Sequence, residues 1–153
     1  MRRKDQEITD KELLESILAN AEVCRLGLSL NDMPYVVPVN FGYKDGCLYI
    51  HSSPAGRKME IISQNNKVCF ELEWKVELVQ ADAPCDWSCR YYSIIGFGRA
   101  YPVTECDEKV TGLTAIMEHY SSASPFVFPE SKVTRTAVIR VEIDSMTGKK
   151  AKY

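Results

Sequence analysis

The sequence predicts a mainly β protein: an antiparallel sheet closed into a six-stranded barrel, with helices packed around it. Three features carry that expectation. Apolar and polar residues alternate over several short runs, turn signals join neighbouring runs into hairpins, and the helical segments come at intervals rather than after every strand. A doubly wound α/β sheet would need regular strand–helix alternation, which the chain lacks.

Each element has its own signal. Thr9 opens a capping box with Glu12, and Leu13, Leu14, Ile17, Leu18 and Ala21 then share one helical face. From Cys24 the period changes to two, with Leu26, Leu28 and Leu30 alternating against Arg25, Gly27 and Ser29. Asn31-Asp32 marks a turn into a second strand, Tyr35 to Tyr43, and Asp45-Gly46 is a hairpin signal leading to a third, Cys47–Ser52. A short helix fits Arg57–Gln64. The alternation of Val68, Phe70, Leu72, Trp74, Val76 and Leu78 predicts a fourth strand, and Tyr91–Val103 a fifth. Gly96 and Gly98 inside the fifth imply a bend or a close approach. Thr104 caps a helix with Val110, Leu113 and Met117 on its buried face, and Thr136–Ile143 is the last strand.

At 153 residues the chain is one domain's length, 1–153, able to bury roughly two-thirds of its unfolded surface. The formal charge of −2, with basic residues spread among acids, gives no footprint for nucleic acid. No apolar run is long enough to span a bilayer, so no membrane partner is expected. Met1-Arg2-Arg3-Lys4-Asp5 has cations without an apolar stretch behind them, unlike a secretory signal. A cytoplasmic location is expected. The six cysteines then read as reduced thiols, and Cys85 and Cys89, the one close pair, have no second ligand pair for zinc. No metal site is expected.

The most informative stretch for chemistry is His51-Ser52-Ser53-Pro54-Ala55-Gly56-Arg57-Lys58. Two cations at a helix start oppose the macrodipole, whose positive end lies there. An anion held by Arg57, Lys58, a hydroxyl and free backbone N–H groups resolves the conflict, and a phosphate has the right charge. The alternative is that both cations point into solvent. Glu71, Glu73 and Glu77, with Lys75 among them, read as a solvated outer strand face.

Beyond these local signals, Val36-Val37-Pro38-Val39-Asn40-Phe41, then Tyr49-Ile50-His51-Ser52, then Gly56-Arg57-Lys58, resemble the FMN-binding framework of the pyridoxamine 5′-phosphate oxidase superfamily. The Nim-type branch, associated with nitroimidazole resistance, is the nearer likeness. It extends from Arg2-Arg3-Lys4-Asp5 through Cys24-Arg25-Leu26-Gly27-Leu28 and Ile95-Gly96-Phe97-Gly98-Arg99-Ala100 to Thr147-Gly148-Lys149-Lys150. The resemblance implies a six-stranded FMN-binding split barrel, working as a homodimer with FMN at the subunit interface and acting on a small molecule.

Carried over by position, Ser52, Arg57 and Lys58 would hold the FMN phosphate. Val39, Asn40 and Phe41 would line the flavin ring, largely through backbone groups. Arg90, Tyr91 and Ser93 match the region facing the flavin from across the dimer. A barrel this small fills its interior with side chains, so a flavin must lie outside it and needs a second surface to cover it. His51 adjoins the phosphate hydroxyl, and the Nim-type likeness places a reactive histidine near the flavin, where it could donate protons during nitro reduction. Its other reading is a strand-end hydrogen bond to a carbonyl. His119, late in a helix, suits the negative end of the dipole. Trp87, Tyr91 and Tyr92 read as interface anchors, or as a ring-stacking lid.

Three functions follow in order of expectation: an FMN-dependent oxidoreductase of the nitroreductase kind; a non-catalytic flavin- or haem-binding module with His51 as a ligand; and a structural dimer. A pyridoxamine-phosphate-oxidase-like enzyme with another substrate is a variant of the first. The oxidase itself is longer, with a C-terminal segment whose tryptophan and arginine help bind cofactor and substrate. This sequence stops at Tyr153 without one, which argues against the vitamin as substrate.

Overall fold

The computed structural model describes residues 3–153; Met1 and Arg2, from the basic start, lie outside the described residues. In chain order the elements are β1 (Glu7–Ile8), α1 (Lys11–Asn20), β2 (Cys24–Leu30), β3 (Met33–Val39), β4 (Gly42–Lys44), β5 (Cys47–Ser52), α2 (Arg57–Gln64), β6 (Lys67–Val79), β7 (Ser88–Pro102), α3 (Cys106–Tyr120), α4 (Glu130–Arg135) and β8 (Ala137–Ala151), with 3₁₀ turns at Lys4–Gln6 and Pro84–Asp86. The mainly β, antiparallel class is as expected. The described strands number eight rather than six for two reasons. The strand expected over Tyr35–Tyr43 breaks at Asn40-Phe41 into β3 and β4, and the two residues of β1 are too few to show a period.

The turns explain the register. Asn31 and Asp32 have φ of 51° and 61°, and Asp45 and Gly46 have φ of 50° and 77°. Two consecutive left-handed residues match the twist of the strands they join, which is why Asn, Asp and Gly occupy them. Both hairpins close tightly, Leu30 opposite Met33 and Lys44 opposite Cys47. All strand pairs are antiparallel, in the order β3-β2-β6-β7-β8-β5-β4, with β1 paired to β8. The first and last strands of that order, β3 and β4, are separated in sequence only by Asn40 and Phe41. The sheet must therefore curl until its ends meet, which makes it a barrel.

Inward-facing residues fill the barrel. Leu26, Phe41, Leu48, Ile50, Phe70, Leu72, Ile94, Ile139 and Val141 are fully buried. Gly96 is required because a methyl there would collide with the Phe70 ring, and Gly98 because one would strike the Glu142 carbonyl, where the β7–β8 register shifts. Helix α1 buries Ile17 and Leu18 against this core, and α2 buries Ile61 and Ile62. Past α2, Asn65 Nδ2 donates to the Ser29 carbonyl at 2.9 Å, and the Asn66 carbonyl accepts from Ala100 N–H at 2.8 Å. These bonds tie the end of α2 to β2 and β7.

Four expectations need correction. The cap of α1 is Asp10, not Thr9: its carboxylate accepts from Glu12 N–H at 3.0 Å. The residue at the start of α3 is Glu105, whose side chain makes no cap bond, and the Thr104 hydroxyl instead faces the Glu105 carboxylate at 3.4 Å. The buried face of α3 is Gly112, Ala115 and Ile116, packed near Tyr49 and Val138, while Val110 and Met117 are exposed. Small residues let this helix approach the sheet closely, and that close approach outweighs the larger apolar side chains one turn round. The last strand also runs on through Thr147-Gly148-Lys149-Lys150 to Ala151.

Helix α3 covers β4, β5 and part of β8. On the outward face of β3, β2, β6 and β7, among the described residues, Val36, Ile95 and Phe97 stand exposed. Register aligns Val36, Gly27, Cys69 and Phe97 in one row across these four strands. The two small residues leave a groove between the two large ones. No helix among the described residues is long and apolar enough to cross a membrane.

Candidate functional site

The corner where β5 gives way to α2 is built by local sequence. His51 and Ser52 end β5, opposite Val138 and Ala137 of β8. The chain turns through Ser53-Pro54-Ala55, where the Ser53 hydroxyl accepts weakly from Ala55 N–H at 3.4 Å. Gly56 then starts the helix at φ 122°, a conformation open to glycine, with open space where a side chain would project. No side chain caps α2. Its first amide groups, which have no partner within the helix, are left for an external acceptor.

The two cations there differ. Arg57 reaches Glu60 at 3.1 Å, an exposed pair of little energetic weight. Lys58 is half-buried, burial pushes its pKa down, and no carboxylate among the described residues pairs with it. A cation drawn partly out of water beside unpaired amides fits a phosphate group. His51 is exposed, and among the described residues its side chain makes no hydrogen bond to a strand-end carbonyl.

Val39, Asn40 and Phe41 form the break between β3 and β4. The β4–β5 ladder stops at Gly42 opposite Tyr49; two more steps would have set Asn40 opposite His51. The chain swings away to β3 instead, so this segment and the end of β5 border the place where the ladder parts. Val23, Pro38, Val39 and Asn40 line a cleft here of about 260 Å³. Phe41 points the other way, fully buried, with its N–H donating to the Tyr120 hydroxyl at 3.2 Å and its ring 4.4 Å from His119. His119 Nε2 meets the Ala21 carbonyl at 2.8 Å, and the Tyr120 hydroxyl donates to the Glu22 carbonyl at 2.8 Å. His119 is thus a buttress that ties α3 to the end of α1.

Strand alternation separates Arg90 from Tyr91 and Ser93. The latter two share the outward side of β7 with Ile95 and Phe97. Ser93 is buried there, and the Tyr91 hydroxyl accepts from Lys149 Nζ at 2.9 Å. Arg90 lies on the other side, 3.6 Å from Glu77 and beside the Tyr153 ring. Trp87 and Tyr92 have separate surroundings: Trp87 Nε1 donates to the Ala81 carbonyl within its own loop, and Tyr92 stacks on Trp74 and Tyr153. Sequence reading missed Lys149 and Tyr153, because the final strand appeared to end at Ile143. It also missed Arg25, which bridges Glu71 at 3.0 Å and Glu73 at 3.2 Å on the outer face.

The chain finds a match across nearly its whole length. The family model described as pyridoxamine 5′-phosphate oxidase matches residues 10–150. The chain belongs to the pyridoxamine 5′-phosphate oxidase-like family. A candidate 5-nitroimidazole antibiotic resistance protein from Bacteroides thetaiotaomicron is 38% identical, superposes with a TM-score of 0.82, and is matched over 94% of this chain and 85% of its own. An uncharacterised protein of Rhizobium meliloti is 25% identical over 94% of both chains. The FAD- and haem-binding protein of Mycobacterium smegmatis has a TM-score of 0.84 at 20% identity, covering 97% of this chain and 74% of its own. The flavocytochrome Anf3 of Azotobacter vinelandii has a TM-score of 0.80 at 22% identity, covering 100% and 72%. At those identities the last two establish the shared fold. Structures of the pyridoxamine 5′-phosphate oxidase-like fold thus include flavin and haem binders.

Proposed function

We propose that this protein binds FMN and acts as an oxidoreductase that reduces small nitro-aromatic compounds, as a homodimer with the cofactor at the subunit interface. The observation that carries the reading is Lys58, a half-buried cation without a carboxylate at an uncapped helix start. Lys58, Arg57, the Ser52 hydroxyl and the first amides of α2 bind the FMN phosphate. The backbone of Val39 and Asn40 meets the ring edge; Phe41 acts from behind by fixing that backbone through Tyr120 and His119. Bound flavin supplies hydride and electron transfer.

His51, exposed and free of internal hydrogen bonds, is the proton donor to the substrate's nitro oxygens. The outward face carrying Val36, Ile95 and Phe97 receives the second copy, which closes the cofactor off from water. Tyr91 and Ser93, on that same face, would then approach the partner's flavin. The 38%-identical relative concerned with 5-nitroimidazole resistance supports nitro compounds as the substrate class.

The test is an FMN titration followed by flavin fluorescence. Lys58→Ala should weaken FMN binding about 10- to 100-fold, the size of a lost charged hydrogen bond. His51→Gln should leave FMN affinity in place and lower the turnover of a 5-nitroimidazole by roughly 100-fold or more. Unchanged FMN affinity in the Arg57→Ala, Lys58→Ala double variant would remove the reading. Nitro reduction no faster than with free FMN would remove the enzyme claim alone. A second reading, haem binding, draws on the unengaged His51 imidazole; a Soret band that appears with haem and is lost in His51→Ala would favour it.

A further inference from the structure

The connection from α3 to α4 crosses the end of β5, and its tip is apolar. Helix α3 ends on the β4 side of β5, where the Tyr120 hydroxyl accepts from Phe41 N–H at 3.2 Å and donates to the Glu22 carbonyl at 2.8 Å. Helix α4 delivers the chain to the opposite side, where Ala137 opens β8 across from Ser52. Strand β5 lies between β4 and β8 in the sheet, so residues 121–135 pass over its end. Tyr49 and His51 share the outward side of that strand. Tyr49 is packed under α3 against Gly112, whereas His51, one step further along, is exposed. The connection therefore passes beside His51.

It carries more chain than the crossing needs. The nine residues Ser121–Pro129 can extend to roughly 30 Å, while two strand spacings measure about 10 Å. The segment bows outward, and its tip is Phe126-Val127-Phe128 between Pro125 and Pro129. Connecting turns ordinarily favour polar residues and glycine. Val127 is 88% exposed, and the two phenylalanines are half-buried. One exposed apolar side chain is ordinary. Three in a row, bracketed by residues whose rings fix the backbone, form a presented surface. The cleft lined by Val23, Pro38 and Val39 adjoins Phe41, where α3 ends, so a second apolar surface lies at the near end of the segment.

We infer that Phe126, Val127 and Phe128 form the substrate-facing wall of the site beside His51, and that they select nitro compounds carrying a flat, uncharged ring. The inference rests on the nitroreductase reading and adds the part of the chain that holds the substrate's ring. A ring lying against these side chains gains apolar contact in proportion to its area. An open-chain nitro compound offers the same nitro group to His51 and gains little from the wall. The selection is thus exerted on the ring, away from the reacting group.

The test uses the FMN-loaded, oxidised protein without a reductant, so that binding is read apart from turnover. Metronidazole, a neutral 5-nitroimidazole, is titrated against the flavin absorbance spectrum. Val127→Ser should weaken its binding about 3- to 10-fold, Phe126→Leu by a similar factor, and Val127→Ile not at all. FMN affinity, melting temperature and sedimentation of Val127→Ser should match the unaltered protein, because the side chain is exposed. In turnover, KM for metronidazole should rise by the same factor while kcat holds, as loss of a uniform binding contact requires. Nitroethane, which has no ring, should inhibit equally in all these proteins. Unchanged metronidazole affinity in Val127→Ser overturns the proposal, and so does an equal weakening of nitroethane. Dissociation of a dimer in Val127→Ser overturns it by assigning the tip to the subunit contact, and lost FMN affinity by assigning it to the cofactor. FMN binding by the unaltered protein separates the two readings: its absence removes both, whereas FMN binding with unaltered metronidazole affinity in Val127→Ser removes this one alone.

Discussion

Among the described residues Lys58 has no countercharge, and its titration carries a definite sign. Burial lowers its pKa in the folded state. The ammonium form therefore destabilises the fold at neutral pH, and that cost disappears only as pH rises through the lowered value towards the ordinary lysine range. Lys58→Met should raise the melting temperature in phosphate-free buffer at pH 7 and abolish any gain from added inorganic phosphate. A scan with and without phosphate measures both. Glu71 carries a different imbalance. Its pKa is raised by burial first and by the neighbouring Glu73 second, against the pull of Arg25. The ionised form is disfavoured in the fold, so the penalty is complete at neutral pH and vanishes below the unfolded value near 4.5. Glu71→Gln should melt higher at pH 7, since Arg25 keeps Glu73 at 3.2 Å, and the advantage should shrink as pH falls towards 4. At this scale the Arg57-Lys58 pair was legible from sequence, because two cations at a helix start contradict the dipole. Arg90 rests on the resemblance alone, and strand parity sets it on the opposite side of β7 from Tyr91 and Ser93.

Helix caps and glycines decide how the elements seat. Asp10→Ala should cost about 0.5–2 kcal/mol, and Thr9→Ala much less, because the carboxylate holds the Glu12 amide; denaturant midpoints separate the two. Gly96→Ala forces a methyl into the Phe70 ring and should destabilise by about 1–3 kcal/mol. Adding Phe70→Leu to it should recover part of that loss, the signature of a shared space in a double-mutant cycle. The strands were readable from their two-residue period, since one face of each packs inward. The face of α3 was not, because its contact is made by Gly112 and Ala115, and a hydrophobicity pattern gives no weight to small residues. The break at Asn40-Phe41 escaped for a related reason. Both sides of it alternate correctly, and only the closure of the barrel demands the swerve.

For the whole molecule, the outward face of β3, β2, β6 and β7 sets the expected assembly. Val36, Ile95 and Phe97 are exposed in one region, and Phe97→Glu should convert a dimer to a monomer in sedimentation and lose FMN along with it. Loss of the dimer with full FMN affinity would separate the two events. The barrel class was evident from hairpin order, whereas its closure rests on a detail that composition does not reveal. Because β3 and β4 are consecutive, a link of two residues does the work of a seam. Lengthening that link is cheap in entropy: a few glycine–serine residues inserted after Asn40 should cost roughly 1 kcal/mol, since loop closure grows only with the logarithm of length. The same insertion would let Val39 and Asn40 drift from the end of β5. Thermal stability and ligand affinity are thus uncoupled at one peptide junction. A graded set of insertions there should lose only a few degrees of melting temperature while losing affinity for a flat cofactor step by step.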